Sequence, residues 1–402
     1  MNQCDHEMIS FLQAYVRINT AMPTPDYNAV HTLWEERASQ DDLKSMRVPL
    51  ASGYHANLIT VHGSNASLPA LILNHHMDVV PASNPELWIA DPFSATIHEG
   101  RIIGRGVQDT KALGVIHYYA IRSLITAGYV PARTIHLVAI PDEECGGFKG
   151  TKEFLHTPLY TSLRIGFVLD EAPASGSAEA IMIKINERRP LQIRITAHGT
   201  MGHGSRLRCD NAIHTLINAL ARLVAQHSTQ QSITGHSDGE LLSCNITSLH
   251  AGVTDGTHIA LNVIPAHATA TVDIRVPPQM HLSKVYDILQ EMCQQATQLS
   301  YSIEAVAHEQ IPMQHTSTFL VECASAVLKK YGFDAIPSIS EGASDMRFYQ
   351  QQGIEAIGFA PFTSIDNAHG VNESLSIEEI VRAHRMITDL IMFICTAKDD
   401  KL

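Results

Sequence analysis

His76 and Asp78 end an apolar run, LILNHHMDVV, over residues 71–80. Residues two apart in a strand share a face, so the run would present an imidazole and a carboxylate together. Further along come Asp109, the acidic run Asp142-Glu143-Glu144, the pair Asp170-Glu171 and a late His369. Most of these follow or end an apolar stretch. That spacing places them at the C-terminal ends of sheet strands, where open α/β folds assemble their sites. Any one of these acids alone reads as a solvated loop residue, since Asp and Glu are mostly exposed. Several at strand ends point instead to a metal site. Histidine nitrogen and carboxylate oxygen without a thiolate cluster form a donor set for zinc, with cobalt or manganese as alternatives.

Neighbouring residues compete for these roles. His75 and His76 would point to opposite faces of a strand, so only His76 can share a face with Asp78. Asp78 would then orient the imidazole from behind, as carboxylates do for zinc-bound histidines. Asp109 lies in GRGVQDTKALG, where it could cap a helix, ligate a metal, or do both. Three consecutive acids in PDEECGG repel one another unless a cation or proton is present. One of them can ligate while its neighbour holds a water as general base. Cys145, beside these acids, is a poor nucleophile because nearby negative charge raises a thiol pKa.

The elements that would carry these residues alternate. Strands are predicted over residues 58–61, 70–73, 134–140 and 164–169, and helices over 10–17, 28–37 and 113–127. Buried apolar strands alternating with helices indicate a mostly parallel sheet covered on both faces. Character changes near Glu187. The predicted order of strand 191–197, helix 212–225, strands 243–250 and 268–276 and helix 285–299 is ferredoxin-like. The last part, from about residue 307, returns to helix and strand: 318–331, 356–360 and 377–396. We therefore expect an α/β catalytic domain over residues 1–186 and 305–402, with an α+β dimerisation or lid domain inserted at 187–304.

Composition sets limits. The chain has 402 residues, enough for two domains, and 45% hydrophobic with 17% charged residues is globular. A net charge of −13 with no continuous basic stretch argues against nucleic acid, and bound divalent cations would offset part of it. No run reaches the ~20 apolar residues of a membrane helix. The polar N-terminus is not expected to be a secretory signal. Seven scattered cysteines with no CxxC pair suggest reduced thiols and a cytoplasmic protein.

Taken together, PTPDY (23–27), NHHMDVVP (74–81), RGVQDTK (105–111), RTIHLVAIPDEECGG (133–147), LDE (169–171), NERRP (186–190), GHGSR (202–206), NVIPA (262–266), DIRVPP (273–278) and AHGVNESL (368–375) resemble the dinuclear zinc metallopeptidase and amidohydrolase family. The PTPDY, ERRP and GHGSR segments lean toward its aminoacylase branch. The resemblance implies a zinc-exopeptidase-like catalytic domain and two zinc ions per subunit. His76 and Glu171 would hold one, Glu144 and His369 the other, and Asp109 would bridge them. Glu143 would be the general base. His203 would bind the oxyanion and, with Asn262, reach the site of the partner in a homodimer. Arg347, and after it Arg275, would hold a substrate carboxylate. The expected reaction is hydrolysis of N-acyl-L-amino acids. A dipeptidase, a carboxypeptidase or an acetylornithine-type deacetylase is the alternative within the fold. A non-catalytic binding protein is disfavoured, because no ligand and no base is missing.

Overall fold

The computed structural model describes residues 1–175, 177–207, 209–231, 238–306, 312–314, 316–364 and 367–396. The expected start of the last part, at residue 307, lies outside them. The chain divides into two compact units: Met1–Ile185 with Gln314–Ser338 and Ser344–Leu402, and Asn186–Met313 with Ile339–Ala343.

An eight-stranded sheet runs in the order Lys44–Pro49, His55–Val61, Ile135–Ile140, Ala70–His76, Ile165–Asp170, Glu355–Gly358, Ala180–Glu187 and Asp334–Ser340. Its four middle strands, from Ile135–Ile140 to Glu355–Gly358, pair in parallel. The first three strands pair antiparallel, so the sheet is mixed but parallel where it is deepest. Strand Ala70–His76 is buried along its whole length. Leu71 and Leu73 pack to one face with Leu12, Tyr15, Leu113 and Ile387; Ile72 packs to the other with Phe154, Met346 and Tyr349. Covering both faces with helices is what makes a continuous apolar run stable as a strand. Three strands of this sheet escaped the sequence reading: Lys44–Pro49, Ala180–Glu187 and Asp334–Ser340. The first and last lie at the sheet edges, where a half-exposed pattern carries little periodic signal.

The second unit holds a four-stranded antiparallel sheet, ordered Ser243–Ala251, His267–Val276, Arg189–His198 and Leu299–Val306. With helices Ala212–Gln231 and Leu282–Gln295 the chain order is β-α-β-β-α-β, the ferredoxin-like pattern. Leu191, Ile193, Ile195 and Ala197 alternate inward. They meet Leu216, Ala219, Leu220 and Leu223 of one helix and Val285, Leu289 and Met292 of the other, both at helical spacing.

One contact links the helical layer to the site. Helix Ala112–Thr126 crosses the sheet at Gly114, where an added Cβ would overlap the ring of His75, the neighbour of His76. Gly→Ala inside a helix ordinarily stabilises by about 1 kcal/mol. Here we expect Gly114→Ala to destabilise by about 1–3 kcal/mol, the usual cost of overpacking. Urea unfolding decides the sign, and a stabilised variant would show that the His75 ring yields freely.

Candidate metal centre

Four adjacent parallel strands deliver the site from the same end. His76 ends Ala70–His76, Glu171 directly follows Ile165–Asp170, Glu143 and Glu144 follow Ile135–Ile140, and His369 lies on the loop after Glu355–Gly358. Asp109 joins them from the segment that leads into helix Ala112–Thr126. Gly106 lets that segment turn: its φ is +85°, and a side chain there would press on Val79.

Asp109 lies between two histidines. Its Oδ1 is 2.8 Å from His76 Nε2, and its Oδ2 is 3.0 Å from His369 Nε2. His76 Nε2 is also 3.3 Å from Glu171 Oε2, and His369 Nε2 is 3.2 Å from Glu144 Oε2. His76, Asp109 and Glu144 offer donor atoms within 4.8 Å of one another, as do His76, Glu143 and Glu171. Two imidazoles and four carboxylates on so small a surface match hard or borderline divalent cations. Proximity alone does not separate ligand from base at Glu143, which approaches His76 to 4.0 Å.

The doublets of the sequence part company in space. His75 is buried against Tyr15 and Trp34, and burial holds its imidazole well below the ordinary range. Asp170 is buried and accepts from Asn74 Nδ2 at 2.9 Å, whereas Glu171 faces His76. Asp142 turns away and accepts the Lys149 N–H at 2.8 Å. Glu144 has one oxygen on the Val80 N–H, at 3.2 Å, and the other toward His369.

Asp78 behaves differently from the expectation. His76 Nδ1 donates to the backbone carbonyl of Asp78 at 2.8 Å, while the carboxylate stands 3.8 Å away. That carboxylate is taken up by the backbone N–H groups of Glu143 and Glu144, at 3.2 and 3.0 Å. Asp78 thus fixes the imidazole with its main chain and the acidic turn with its side chain.

The remaining candidates have their own partners. Arg347 is buried and donates to the carbonyls of Ser344 and Gly146, at 2.6 and 2.8 Å. In the second unit, Arg275 pairs with Asp273 through two contacts, at 2.7 and 3.2 Å. His203 sits on the short strand Gly202–His203, paired with Val263–Ile264, next to Asn262. The Ser205 N–H points at His203 Nδ1 from 3.1 Å, so the neutral ring carries its proton on the exposed Nε2.

Comparison with known proteins adds to this geometry. A family model described as peptidase family M20/M25/M40 matches residues 72–392. The chain belongs to this family. It is a hydrolase acting on amides, and its substrate is a small molecule. Aminoacylase-1 from Pongo abelii is 35% identical over 365 residues, covering 89% of this chain and 87% of that protein. Aminoacylase-1A from Rattus norvegicus is 33% identical and covers 97% and 95%. Among solved structures, an M20 family metallo-carboxypeptidase from Sulfolobus solfataricus aligns with a TM-score of 0.73 at 18% identity, over 99% of this chain and 100% of that one.

The sequence reading missed Arg105 and Glu373, although both stand inside quoted motifs. Their signal was a charged residue in a motif with no role left for it. Both are buried beneath the site.

Charge in the cluster is unbalanced without a cation. Burial works against a charged His76, yet Glu171 and Asp109 outweigh it and hold the imidazole well above its ordinary range. Hydrogen bonds to Asp109 and Glu144 hold His369 up to about 10. Burial, then the charge of Glu171, pushes Glu143 well above the carboxylate range. In the metal-free protein these shifts favour the protonated rings, whereas a metal takes only the neutral ring. Zinc uptake should release protons, and zinc affinity should fall as pH is lowered. Calorimetry in buffers of different ionisation enthalpy measures this; heats independent of buffer would mean that both rings are already neutral.

Proposed function

We propose that this chain is a zinc-dependent aminoacylase that hydrolyses the amide bond of an N-acyl-L-amino acid to a carboxylate and a free amino acid. One observation carries the reading: the two oxygens of Asp109 each face a different histidine, and each histidine has its own second carboxylate. Two metals sharing one carboxylate require that pattern. The relatives named aminoacylase, together with the PTPDY, ERRP and GHGSR segments, support the substrate class.

In this reading His76 and Glu171 would hold one zinc, Glu144 and His369 the other, and Asp109 would be a ligand shared by both. Bound metal would acidify a water and polarise the scissile carbonyl. Glu143 accepts the water proton on its carboxylate as the new C–O bond forms. It returns that proton to the nitrogen as the C–N bond breaks. Asp78 holds the turn that carries Glu143. Arg347 would anchor the substrate carboxylate with charge-assisted bonds. Seven free cysteines support a reducing, cytoplasmic setting. Among the described residues no helix is long and apolar enough to cross a membrane.

Chelation should abolish hydrolysis and zinc restore it, with N-acetyl-methionine turned over in preference to dipeptides and N-acetyl-ornithine. Full activity in excess chelator would end the metal reading. A preference for dipeptides would move the chain to the dipeptidase side of the family.

The reading includes a homodimer, and the surface of the second unit supports it. Strand Ser243–Ala251 is a sheet edge, and its Ile246 and Leu249 are exposed, as are Ile217 and Val224 on helix Ala212–Gln231. An edge strand with apolar neighbours suits pairing across a two-fold axis. His203, aided by Asn262, would offer its Nε2–H to the oxyanion in the partner's site. His203→Ala should cut turnover by more than about tenfold, the low side of losing such a donor, with metal retained. Mixed with Glu143→Ala, it should regain activity through hybrid dimers holding one intact site. A monomeric active enzyme, or no recovery after verified subunit exchange, would remove the shared site.

A further inference from the structure

We infer that Glu373, working through Arg105, is a positioning residue that sets the separation of Asp109 and His369 and thereby the zinc affinity of the site. The inference rests on the metal-site reading above and extends it to residues that touch no metal.

Glu373 is fully buried and lies four residues after His369. Its two oxygens are saturated. One accepts the backbone N–H groups of Gln108 and Asp109, at 2.8 and 3.2 Å. The other accepts the Gly106 N–H at 3.1 Å and Arg105 Nη1 at 2.7 Å. The peptide that orients Asp109 is thus held by a side chain from the loop that carries His369. Arg105 returns the connection: its Nη2 donates to the carbonyl of His369 at 3.0 Å. One carboxylate and one guanidinium therefore tie together the backbones of two residues 260 positions apart in the chain. Weaker rungs run alongside, from Gly104 N to Glu373 O at 2.9 Å and from Gln108 Nε2 to Ser374 O at 3.0 Å.

The chemistry requires a carboxylate. Four donors converge on the two oxygens, and a carboxylate is an acceptor at both. Glutamine of the same shape would set an NH2 group against one of the two donor pairs, so a peptide of the 106–109 turn must move. Metal–ligand distances tolerate only about 0.2 Å. A shift in that turn alters the spacing of Asp109 from His76 and His369 without deleting any ligand. Removing such an outer partner ordinarily costs about 10–100-fold in metal affinity or activity.

The test uses the full chain, stripped of metal with chelator and titrated with zinc against a competing indicator. Glu373→Gln should keep the wild-type circular dichroism spectrum and need about 10–100-fold more free zinc for half-saturation. Hydrolysis should recover as zinc is raised, which a general loss of structure would not allow. Arg105→Lys keeps a cation beside Glu373 but loses the second arm to His369, so it should shift zinc affinity in the same direction by less. Wild-type zinc affinity in folded Glu373→Gln overturns the inference. Should that variant not fold, unchanged zinc affinity in Arg105→Lys does so. Failure of the wild-type chain to take up zinc would instead defeat the metal reading on which both rest.

Discussion

Asp109 shares its carboxylate between His76 and His369, and the remaining site is arranged around that constraint. Each of its oxygens needs a partner from a different part of the chain, and the space is crowded with acids of like charge. Without a cation, burial and then the charge of Glu171 push Glu143 above the carboxylate range, and the surrounding acids favour the protonated forms of both histidines. The donors are thus arranged for a positive charge that the side chains alone supply only by taking up protons. Such a cluster is costly in an ordinary fold and makes sense where metal binding repays it.

The scaffold meets this cost with backbone groups. Asp78 spends its carboxylate on the N–H groups of Glu143 and Glu144, and its carbonyl on His76. Glu373 does the same for the turn that carries Asp109. In both places main-chain donors hold a buried carboxylate, and at Glu373 the Arg105 guanidinium is a further donor. Both lie behind the residues that face the metal position. Parallel strands suit this arrangement because all four release their chains at one end of the sheet, and loops there can reach one another.

The second unit obeys simpler rules. Its sheet is buried on one face only, so inward and outward residues alternate cleanly and two amphipathic helices cover the inner face. Its candidate oxyanion donor, His203, lies on a two-residue strand and accepts the N–H of Ser205 at Nδ1. Periodicity cannot single out such a residue, because a two-residue strand has no period to read.

Much of the fold was legible because it is local. Leu71–Leu73, Ile135–Ile140 and Ile165–Asp170 announce buried strands by their apolar runs, and the alternation at Leu191–Ala197 announces a half-buried one. The candidate metal-site residues carried a local signal too, since His76, Glu144 and Glu171 each sit at or just beyond the end of such a strand. The edge strands of the large sheet, Lys44–Pro49 and Asp334–Ser340, gave no comparable signal, because pairing on one side leaves their pattern half exposed. The sequence could not assign partners. It offered Asp78 as a carboxylate behind His76, yet the carboxylate went to two backbone N–H groups. It left Arg105 and Glu373 without a role, although they clamp Asp109 to His369. Residue types and strand periods are written along the chain. Distances between residues 260 positions apart are decided only when the sheet packs, because every buried donor must then find an acceptor and the geometry of that settlement is tertiary.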